Sequence, residues 1–232
     1  MKRRSILIGA AGTALATGGA GLLWKPRVEG KPHNPYFSAL NEMLKQDGPG
    51  RPVMLIDLDR INSNIDLIAG SVGPEKTYRV VVKSLPSVPL LQHVMQRART
   101  QALMVFHQPF LNTIAETFPE ADCLIGKPMP VSAIEAFFRK AVGTRYDSEN
   151  KVQWLIDTPA RLQQYLAVAK RFGIRMRINF EIDVGLHRGG IPEPAALAPL
   201  LKVIEENSQH LELSGLMGYE PHLSGMQAAL TH

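Results

Sequence analysis

Cysteine is almost absent from this chain of 232 residues, and its scarcity excludes several kinds of protein. The sole cysteine, Cys123, cannot form an internal disulfide and cannot belong to a multi-cysteine metal site. It lies in the apolar run 122–126, so we expect a small, buried and unreactive side chain. The sequence is therefore neither a disulfide-rich scaffold nor a zinc finger.

Most of the chain also lacks an excess of positive charge, although the formal net charge is +5. Five of the 26 basic residues precede the first acidic residue, Glu29, and the other 21 equal the 21 acidic residues in number. The five early basic residues are Lys2, Arg3, Arg4, Lys25 and Arg27. Because the remainder is close to neutral, a nucleic-acid-binding surface is disfavoured.

The N-terminus lacks a strongly apolar run. Paired arginines in Met1–Ser5 precede the uncharged, glycine-rich residues 6–24, whereas a membrane-spanning helix needs about 20 strongly apolar residues. We therefore predict that residues 1–27 are a twin-arginine-type signal that exports the protein to the periplasm. A single inner-membrane anchor is the alternative. Residues 28–50, rich in Pro, Gly and Asn, are predicted to be a linker with one short helix near 36–46.

Beyond the linker, seven short apolar runs alternate with helical patterns at a spacing of about 25 residues. The predicted strands are Val53–Leu58, Tyr78–Lys83, Ala102–Phe106, Cys123–Ile125, Val152–Ile156, Ile174–Val184 and Leu211–Met217. Such βα units form either a doubly wound sheet or a barrel. A doubly wound sheet predicts a glycine-rich turn after the first strand, and the turn at 57–59 has no glycine. We therefore predict an α/β fold, a (β/α)8 TIM-type barrel, over residues 51–232.

The predicted barrel is incomplete. His232 follows the seventh predicted strand within about 15 residues, which is too few for an eighth strand and its helix. The sequence therefore predicts a barrel truncated after strand seven. An open barrel leaves two unpaired edges, so a fragment that cannot fold stably is one interpretation.

Polar residues follow each predicted strand, where a TIM barrel has its active site. They are Asp57, Lys83, His107, Lys127, Asp157, Asp183, Arg188, Tyr219 and His222. Lys83 ends an apolar strand and can serve as a nucleophilic amine. Arg188 lies in the glycine-rich segment 184–190 and can hold a carboxylate, phosphate or phenolate oxygen. Asp59 precedes a helical pattern and is predicted to be its cap, and the helix that begins at Pro159 is predicted to be capped by Thr158 or Asp157.

The sixth predicted strand carries a row of polar residues. Arg177, Asn179, Glu181 and Asp183 alternate with apolar residues and would share one face. A polar row inside a barrel is costly unless its members are paired or bound to a ligand. It predicts either a ligand site or a buried ion-pair network that also includes Arg79.

Four motifs, in a common order and spacing, resemble those of the alanine-racemase N-terminal-like, fold-type III pyridoxal-phosphate enzymes. Pro52–Asp59 is similar to the opening of that barrel, and Val80–Lys83 is similar to its cofactor-lysine strand. Glu181–Gly190 and Gly215–His222 are similar to the sixth and seventh strands of the D-threonine aldolase and D-serine dehydratase branch.

The resemblance implies pyridoxal 5'-phosphate as cofactor, bound as a Schiff base on Lys83. Arg188 would contact the cofactor's phenolic oxygen or the substrate carboxylate, Tyr219 would line the pocket, and His222 would lie against the pyridine ring. The implied function is a pyridoxal-phosphate-dependent lyase acting on D-amino acids, of D-threonine aldolase or D-serine dehydratase type. An amino-acid racemase and a non-catalytic or inactive pyridoxal-phosphate-binding fragment are the alternatives.

The resemblance also sets the expected partners. The substrate would be a small D-amino acid. The family's C-terminal β-domain, which carries metal ligands in this branch, has no counterpart here, so no metal ligand is assigned to this chain. A divalent metal and a homodimer are expected only of a full-length protein.

Overall fold

The computed structural model describes residues 30–224, and its internal contacts divide the chain into two units after Leu55. In the described part of the first unit, residues 30–55, there is one helix, α1 (Pro35–Asp47), which confirms the short helix predicted in the linker. The side chain of Asn34 caps this helix by accepting a hydrogen bond from the amide of Phe37. The predicted signal or anchor, residues 1–27, lies outside the described residues. No helix within residues 30–224 is long and apolar enough to cross a membrane.

The second unit alternates strands and helices. The strands are β1 (Val80–Val81), β2 (Ala102–Val105), β3 (Asp122–Ile125), β4 (Val152–Ile156), β5 (Met176–Glu181) and β6 (Leu211–Met217). The helices are α2 (Leu58–Gly70), α3 (Val88–Ala98), α4 (Gln108–Thr117), α5 (Val131–Ala141), α6 (Ser148–Lys151), α7 (Pro159–Phe172) and α8 (Pro194–Glu206). A 3-10 turn, Val82–Ser84, follows β1 directly.

All six strands belong to one parallel sheet in the order β1-β2-β3-β4-β5-β6. Neighbours in the chain are neighbours in the sheet, which is the order of a barrel rather than of a doubly wound sheet. Residues from β1 and from the end of β6 line one cavity, so the sheet curls until its outermost strands approach each other. The predicted fold class, a parallel α/β barrel of TIM type, is confirmed.

Strand alternation separates an apolar outer face from a polar interior. On the outer face, Trp154 of β4 is fully buried against the rings of Phe137, Phe138 and Tyr165 from the surrounding helices. Cys123 is also fully buried there, as predicted, and burial raises the pKa of its thiol to about 12, so the thiol stays protonated. The interior face carries the polar row of β5.

The prediction of a first strand at Val53–Leu58 is wrong. Residues 52–57 have no regular structure, and Leu58 already belongs to α2. An apolar run becomes a strand only if a neighbouring strand supplies hydrogen bonds, and β1, the next strand along the chain, has only two paired residues. The predicted strand Tyr78–Lys83 is accordingly shortened to Val80–Val81.

The structure shifts one predicted helix cap and decides between the two candidates for another. Asp57 caps α2 by accepting a hydrogen bond from the amide of Arg60, whereas Asp59 lies inside the first turn. Thr158 caps α7, so Asp157 is left facing the end of the barrel. In both helices, the capping oxygen lies three residues before the amide that it satisfies.

Candidate active site

A cavity of about 270 Å³ opens at the C-terminal ends of the strands. Its lining combines apolar and aromatic side chains with two cations: Val81, Lys83, Ser84, Met104, Phe106, Gly126, Arg188, Met217, Gly218 and Tyr219. Three of the four predicted site residues, Lys83, Arg188 and Tyr219, are thus brought together from opposite ends of the sequence. This is the position that active sites occupy in barrel enzymes.

Lys83 reaches the cavity from the 3-10 turn after β1 rather than from the strand itself. Its side chain is exposed, and its Nζ lies 4.1 Å from the centroid of the Phe106 ring. An ammonium over an aromatic face is attracted by the ring quadrupole. The amine therefore lies at the cavity wall, open to a ligand, and no carboxylate of residues 30–224 pairs with it.

Gly126 fixes the place of the Phe106 ring. A Cβ at position 126 would lie 2.5 Å from Cζ and 2.6 Å from Cε1 of Phe106. The edge of the ring therefore fits against the bare backbone at the end of β3 while Lys83 covers its face. Any larger residue at position 126 would push the ring, because real Cβ atoms do not approach carbon that closely.

Arg188 lies on the opposite side of the cavity and stacks on an aromatic ring. Its Cζ is 4.3 Å from the centroid of the Tyr219 ring, and its Nη2 donates a hydrogen bond of 2.8 Å to Oε1 of Glu181. Glu181 is almost fully buried. Its carboxylate also accepts from Nζ of Lys127, at 3.0 Å through Oε2 and 3.3 Å through Oε1. We call Lys127, Glu181 and Arg188 the Glu181 cluster.

The loop that carries Arg188 is tied at its base. Oδ1 of Asp183 accepts hydrogen bonds from the amides of Gly185 and His187, and Oδ2 contacts Nδ1 of His187 at 2.8 Å. These bonds, the one to the His187 ring first, hold the pKa of Asp183 below its usual value. Gly190 adopts a φ of +108°, where a Cβ would lie 2.8 Å from the amide nitrogen of Asp183.

Pairing of Ile191 closes the same loop. The amide of Ile191 donates to the carbonyl of Glu181 at 2.7 Å, and its carbonyl accepts a hydrogen bond from the backbone amide of Asp183 at 3.0 Å. The loop thus leaves β5 and returns to it within a few residues. Arg188 is presented to the cavity by a closed loop rather than by a free one.

The polar row of β5 divides between the two ends of the barrel. Its first residue, Arg177, lies at the N-terminal end and contacts Asp122 at 3.4 Å. Arg79 contacts the other oxygen of Asp122 at 2.6 Å, and Gln153 donates to both oxygens. Arg79, Asp122, Gln153 and Arg177 form what we call the Asp122 cluster. The interpretation of one network joining Arg79 and Arg177 to Glu181 and Asp183 is therefore wrong.

The charge of Asp122 is stabilised by its cluster. Burial by itself would raise the pKa of this carboxyl. Hydrogen bonds from Gln153 and Arg79, with the positive charges of Arg79 and Arg177, outweigh burial and hold the pKa below its usual value. The carboxylate is therefore ionised at neutral pH.

The remaining predicted residues are not among those that line the cavity. His222 is exposed, three residues beyond Tyr219, and is not part of the cavity lining. His107 is the N-cap residue of α4, and its ring packs edge-on against Phe110 at 4.5 Å. Asp157 is half-buried near Gly189. The roles of Lys83, Arg188, Tyr219 and His222 stay predictions.

Sequence reasoning missed two features of the site. Phe106 was expected to end a strand body, and nothing in the sequence pairs its ring with Gly126. Lys127 and Glu181 were recognised as polar residues near strand ends, but not as partners. Their positions at the ends of β3 and β5 were the available signal.

Within residues 30–224, no group of three or more His, Cys, Asp or Glu side chains is placed to hold a metal ion.

Residues 56–230 match the family model for the alanine racemase N-terminal domain. The chain belongs to this family. The resemblance to alanine-racemase-like, fold-type III enzymes is thereby confirmed, and the family is one of pyridoxal-phosphate-dependent enzymes. No curated protein matches the chain.

Solved structures share the alanine-racemase fold at low sequence identity. An alanine racemase of Clostridium difficile 630 has a TM-score of 0.59 at 14% identity, covering 78% of this chain and 49% of that one. The alanine racemase of Bacillus anthracis with bound L-Ala-P has a TM-score of 0.58 at 20% identity, covering 78% and 46%. D-threo-3-hydroxyaspartate dehydratase from Delftia sp. HT23 has a TM-score of 0.56 at 21% identity, covering 70% and 41%. The chain spans less than half the length of each.

Proposed function

We propose that this chain binds pyridoxal 5'-phosphate at Lys83 and acts as a lyase on D-amino acids, of D-threonine aldolase or D-serine dehydratase type. One observation carries the proposal. Lys83 and Arg188, which are far apart in the sequence, line the same cavity at the C-terminal ends of the strands. An amine and a guanidinium facing one small cavity suit an anionic aldehyde and an amino acid.

The described residues fit this cofactor in shape and in charge. The cavity has aromatic walls in Phe106 and Tyr219, against which a flat ring can pack. At the end of β3 the lining is bare backbone, because Gly126 has no side chain. Lys83 and Arg188 supply positive charge for an anionic ligand, and Arg188 keeps unused N–H donors beyond its bond to Glu181.

The cofactor, when bound, supplies the electron sink that makes loss of a Cα substituent feasible. The residues of the chain supply attachment, orientation and proton transfer. Lys83 is the amine that would hold the aldehyde covalently. Arg188, stacked on Tyr219 and fixed by Glu181, would hold a carboxylate or a phenolic oxygen in one orientation. The Nζ of Lys83, once free, can accept a proton released from the substrate.

An amino-acid racemase is the second candidate, and a specific observation favours it. Lys83 and Tyr219 both line the cavity, and both side chains can carry a proton. A racemase needs one proton carrier on each face of the substrate Cα. The candidates differ in the bonds that break: the aldolase type breaks the Cα–Cβ bond, the dehydratase type removes the Cα proton and the β-hydroxyl, and the racemase removes the Cα proton and returns one on the other face.

Product analysis separates these functions. The full chain is loaded with pyridoxal phosphate and incubated separately with D-threonine, D-serine and D-alanine. A lyase gives glycine with acetaldehyde from D-threonine, or pyruvate with ammonia from D-serine. A racemase gives L-alanine and neither cleavage product.

The matched controls are two lysine variants. Lys83→Ala is expected to abolish product, whereas Lys76→Ala, which removes an exposed lysine outside the cavity, is expected to retain it. Product that survives in Lys83→Ala, or the absence of both product and covalent attachment of the cofactor at Lys83, would contradict the proposal. Cofactor binding without product from these three or from an acidic D-amino acid would favour the non-catalytic alternative.

We also propose export by the twin-arginine route. It is supported by the arginine pair at Arg3 and Arg4 and the weakly apolar run that follows. Fractionation of cells that express the full chain tests it: the protein should appear in the periplasm and should stay in the cytoplasm when both arginines are replaced by lysine.

A further inference from the structure

The proposed function makes no use of Lys127, although this residue shares the carboxylate of Glu181 with Arg188, which lines the cavity. It follows Gly126, which lines the cavity directly. Its Nζ contacts both oxygens of Glu181, while about a third of its side chain, 36%, remains exposed. The ammonium thus lies between a buried carboxylate and open space.

The Glu181 cluster carries an excess of positive charge. It has two cations, Lys127 and Arg188, and a single carboxylate whose Oε1 accepts from both of them. Across residues 30–224, no other carboxylate lies within ion-pair distance of either cation. By ion pairs, the cluster therefore has one more cation than carboxylates. The carboxylate of Asp157 lies nearby without pairing, since its Oδ2 and Nζ of Lys127 would lie 3.9 and 4.0 Å from a Cβ at Gly189.

Both cations have hydrogen-bond donors to spare. An ammonium has three N–H donors and a guanidinium has five. The bonds to Glu181 use at most two from Lys127 and one from Arg188. The remaining donors lie beside a cavity into which a charged ligand could bring acceptor oxygens.

An amino acid substrate already brings one carboxylate, which Arg188 can hold. If the substrate side chain carried a second carboxylate, Lys127 could form an ion pair with it. We propose that Lys127 is a specificity-determining residue that selects D-amino acids with an acidic side chain. This inference rests on the proposed function, because it assigns a substrate class to the same cavity.

A competing role for Lys127 is a contact with the phosphate group of the cofactor. The two roles predict different results. A phosphate contact affects the affinity for pyridoxal phosphate and leaves the preference between amino acids unchanged. A substrate contact affects that preference and leaves the affinity for the cofactor nearly unchanged.

The test compares D-aspartate with D-serine, which differ mainly in the side-chain carboxylate. Dissociation constants are measured from the change in cofactor absorbance of the full chain loaded with pyridoxal phosphate. Wild type should bind D-aspartate about tenfold more tightly or better, the effect of one charge-assisted hydrogen bond. Lys127→Met should lose this preference, and Lys127→Arg should keep most of it. Lys140→Met, which removes an exposed helix lysine, should behave as wild type.

A second readout does not need the cofactor. Calorimetric titration of the cofactor-free chain with malonate and with acetate should show tighter binding of the dicarboxylate, by about tenfold. In Lys127→Met the two dissociation constants should become similar. Equal affinities in the wild type would count against the proposal.

The outcomes separate the substrate class from the function itself. Equal binding of D-serine and D-aspartate, or an unchanged preference in Lys127→Met, overturns the role of Lys127 while cofactor attachment at Lys83 still stands. A tenfold loss of cofactor affinity in Lys127→Met, with the preference unchanged, assigns Lys127 to the phosphate and also overturns it. No binding of either amino acid and no attachment at Lys83 overturns both proposals.

Discussion

Two charged clusters lie at opposite ends of the same barrel interior, and they differ in how completely they are satisfied. In the Asp122 cluster, the guanidinium of Arg79 also donates to the carbonyls of Leu103 and Asp122, and that of Arg177 donates to the carbonyl of Asn150. In the Glu181 cluster, Lys127 and Arg188 share one carboxylate, and neither donates to a backbone carbonyl of the described residues 30–224.

The difference indicates that the two clusters have different roles. N–H donors that are bonded to backbone carbonyls hold neighbouring strands together and are not available to a ligand. Unpaired N–H donors beside a cavity can bind a ligand. We infer that the Asp122 cluster serves stability and that the Glu181 cluster serves binding, as is usual for the two ends of a TIM barrel.

The largest expected effect on stability comes from the Asp122 cluster. Asp122→Ala leaves Arg79 and Arg177 half-buried without their carboxylate, and the free energy of unfolding should fall by about 2–3 kcal/mol. Urea denaturation measures this change. Affinity for pyridoxal phosphate should stay within about twofold of wild type, since the Asp122 cluster lies away from the cavity.

The matched control for this variant is Glu116→Ala, which removes a carboxylate from an exposed ion pair with Lys140. Its cost should stay below about 1 kcal/mol, as for surface pairs in general. If Asp122→Ala were as stable as this control, the claim that the Asp122 cluster stabilises the fold would be wrong.

At the Glu181 cluster, we expect a large effect on cofactor affinity and a small effect on stability. Glu181→Gln keeps the shape but removes the charge that orients Arg188, so affinity for pyridoxal phosphate should fall by about tenfold. Stability should change by only about 1 kcal/mol, because Lys127 and Arg188 are exposed enough to be hydrated. Fluorescence titration and urea denaturation on the same preparation compare the two. Wild-type affinity in Glu181→Gln would contradict the assignment.

A smaller effect is expected where the cavity depends on shape alone. Gly126→Ala places a methyl group against Phe106, whose ring must turn toward Lys83. Because the ring can move, the cost in stability should be about 1 kcal/mol, with a few-fold weaker cofactor binding. Gly70→Ala is the control, since a Cβ there meets no atom within 4 Å. Unchanged binding in Gly126→Ala would mean that the ring position is not needed.

The smallest effect is a dependence on pH. The pKa of Asp122 is lower in the folded chain than its ordinary value of 3.8. Its contribution to stability is therefore fully present above about pH 4 and is lost as the pH falls through the lower folded value. The difference in unfolding free energy between wild type and Asp122→Ala should shrink as the pH falls below about 4. If this difference grew toward acid pH, the pKa of Asp122 would be raised rather than lowered in the folded chain, which would contradict the account.

Sequence reasoning predicted β4 and β6 well because several local signals agree there. Val152–Ile156 and Leu211–Met217 have the predicted bounds, since each apolar run is bordered by helix or turn residues. It failed at residues 53–58, where an apolar run was the only signal and no neighbouring strand pairs with it.

The same contrast holds within the site. Lys83, Arg188 and Tyr219 could be predicted because they follow strands, and all strand ends in a parallel barrel meet at one face. The fit of Phe106 against Gly126 and the pairing of Lys127 with Glu181 could not. They depend on the register between separate strands, which no local pattern encodes.

The most direct test of the account is to trap the cofactor on the chain. The full chain is incubated with pyridoxal phosphate and reduced with borohydride, and the labelled lysine is mapped by peptide mass spectrometry. We expect one specific label at Lys83, absent from Lys83→Ala and retained in Lys127→Met. Labelling scattered over exposed lysines, or no labelling at Lys83, would contradict the claim that these residues form a pyridoxal-phosphate site.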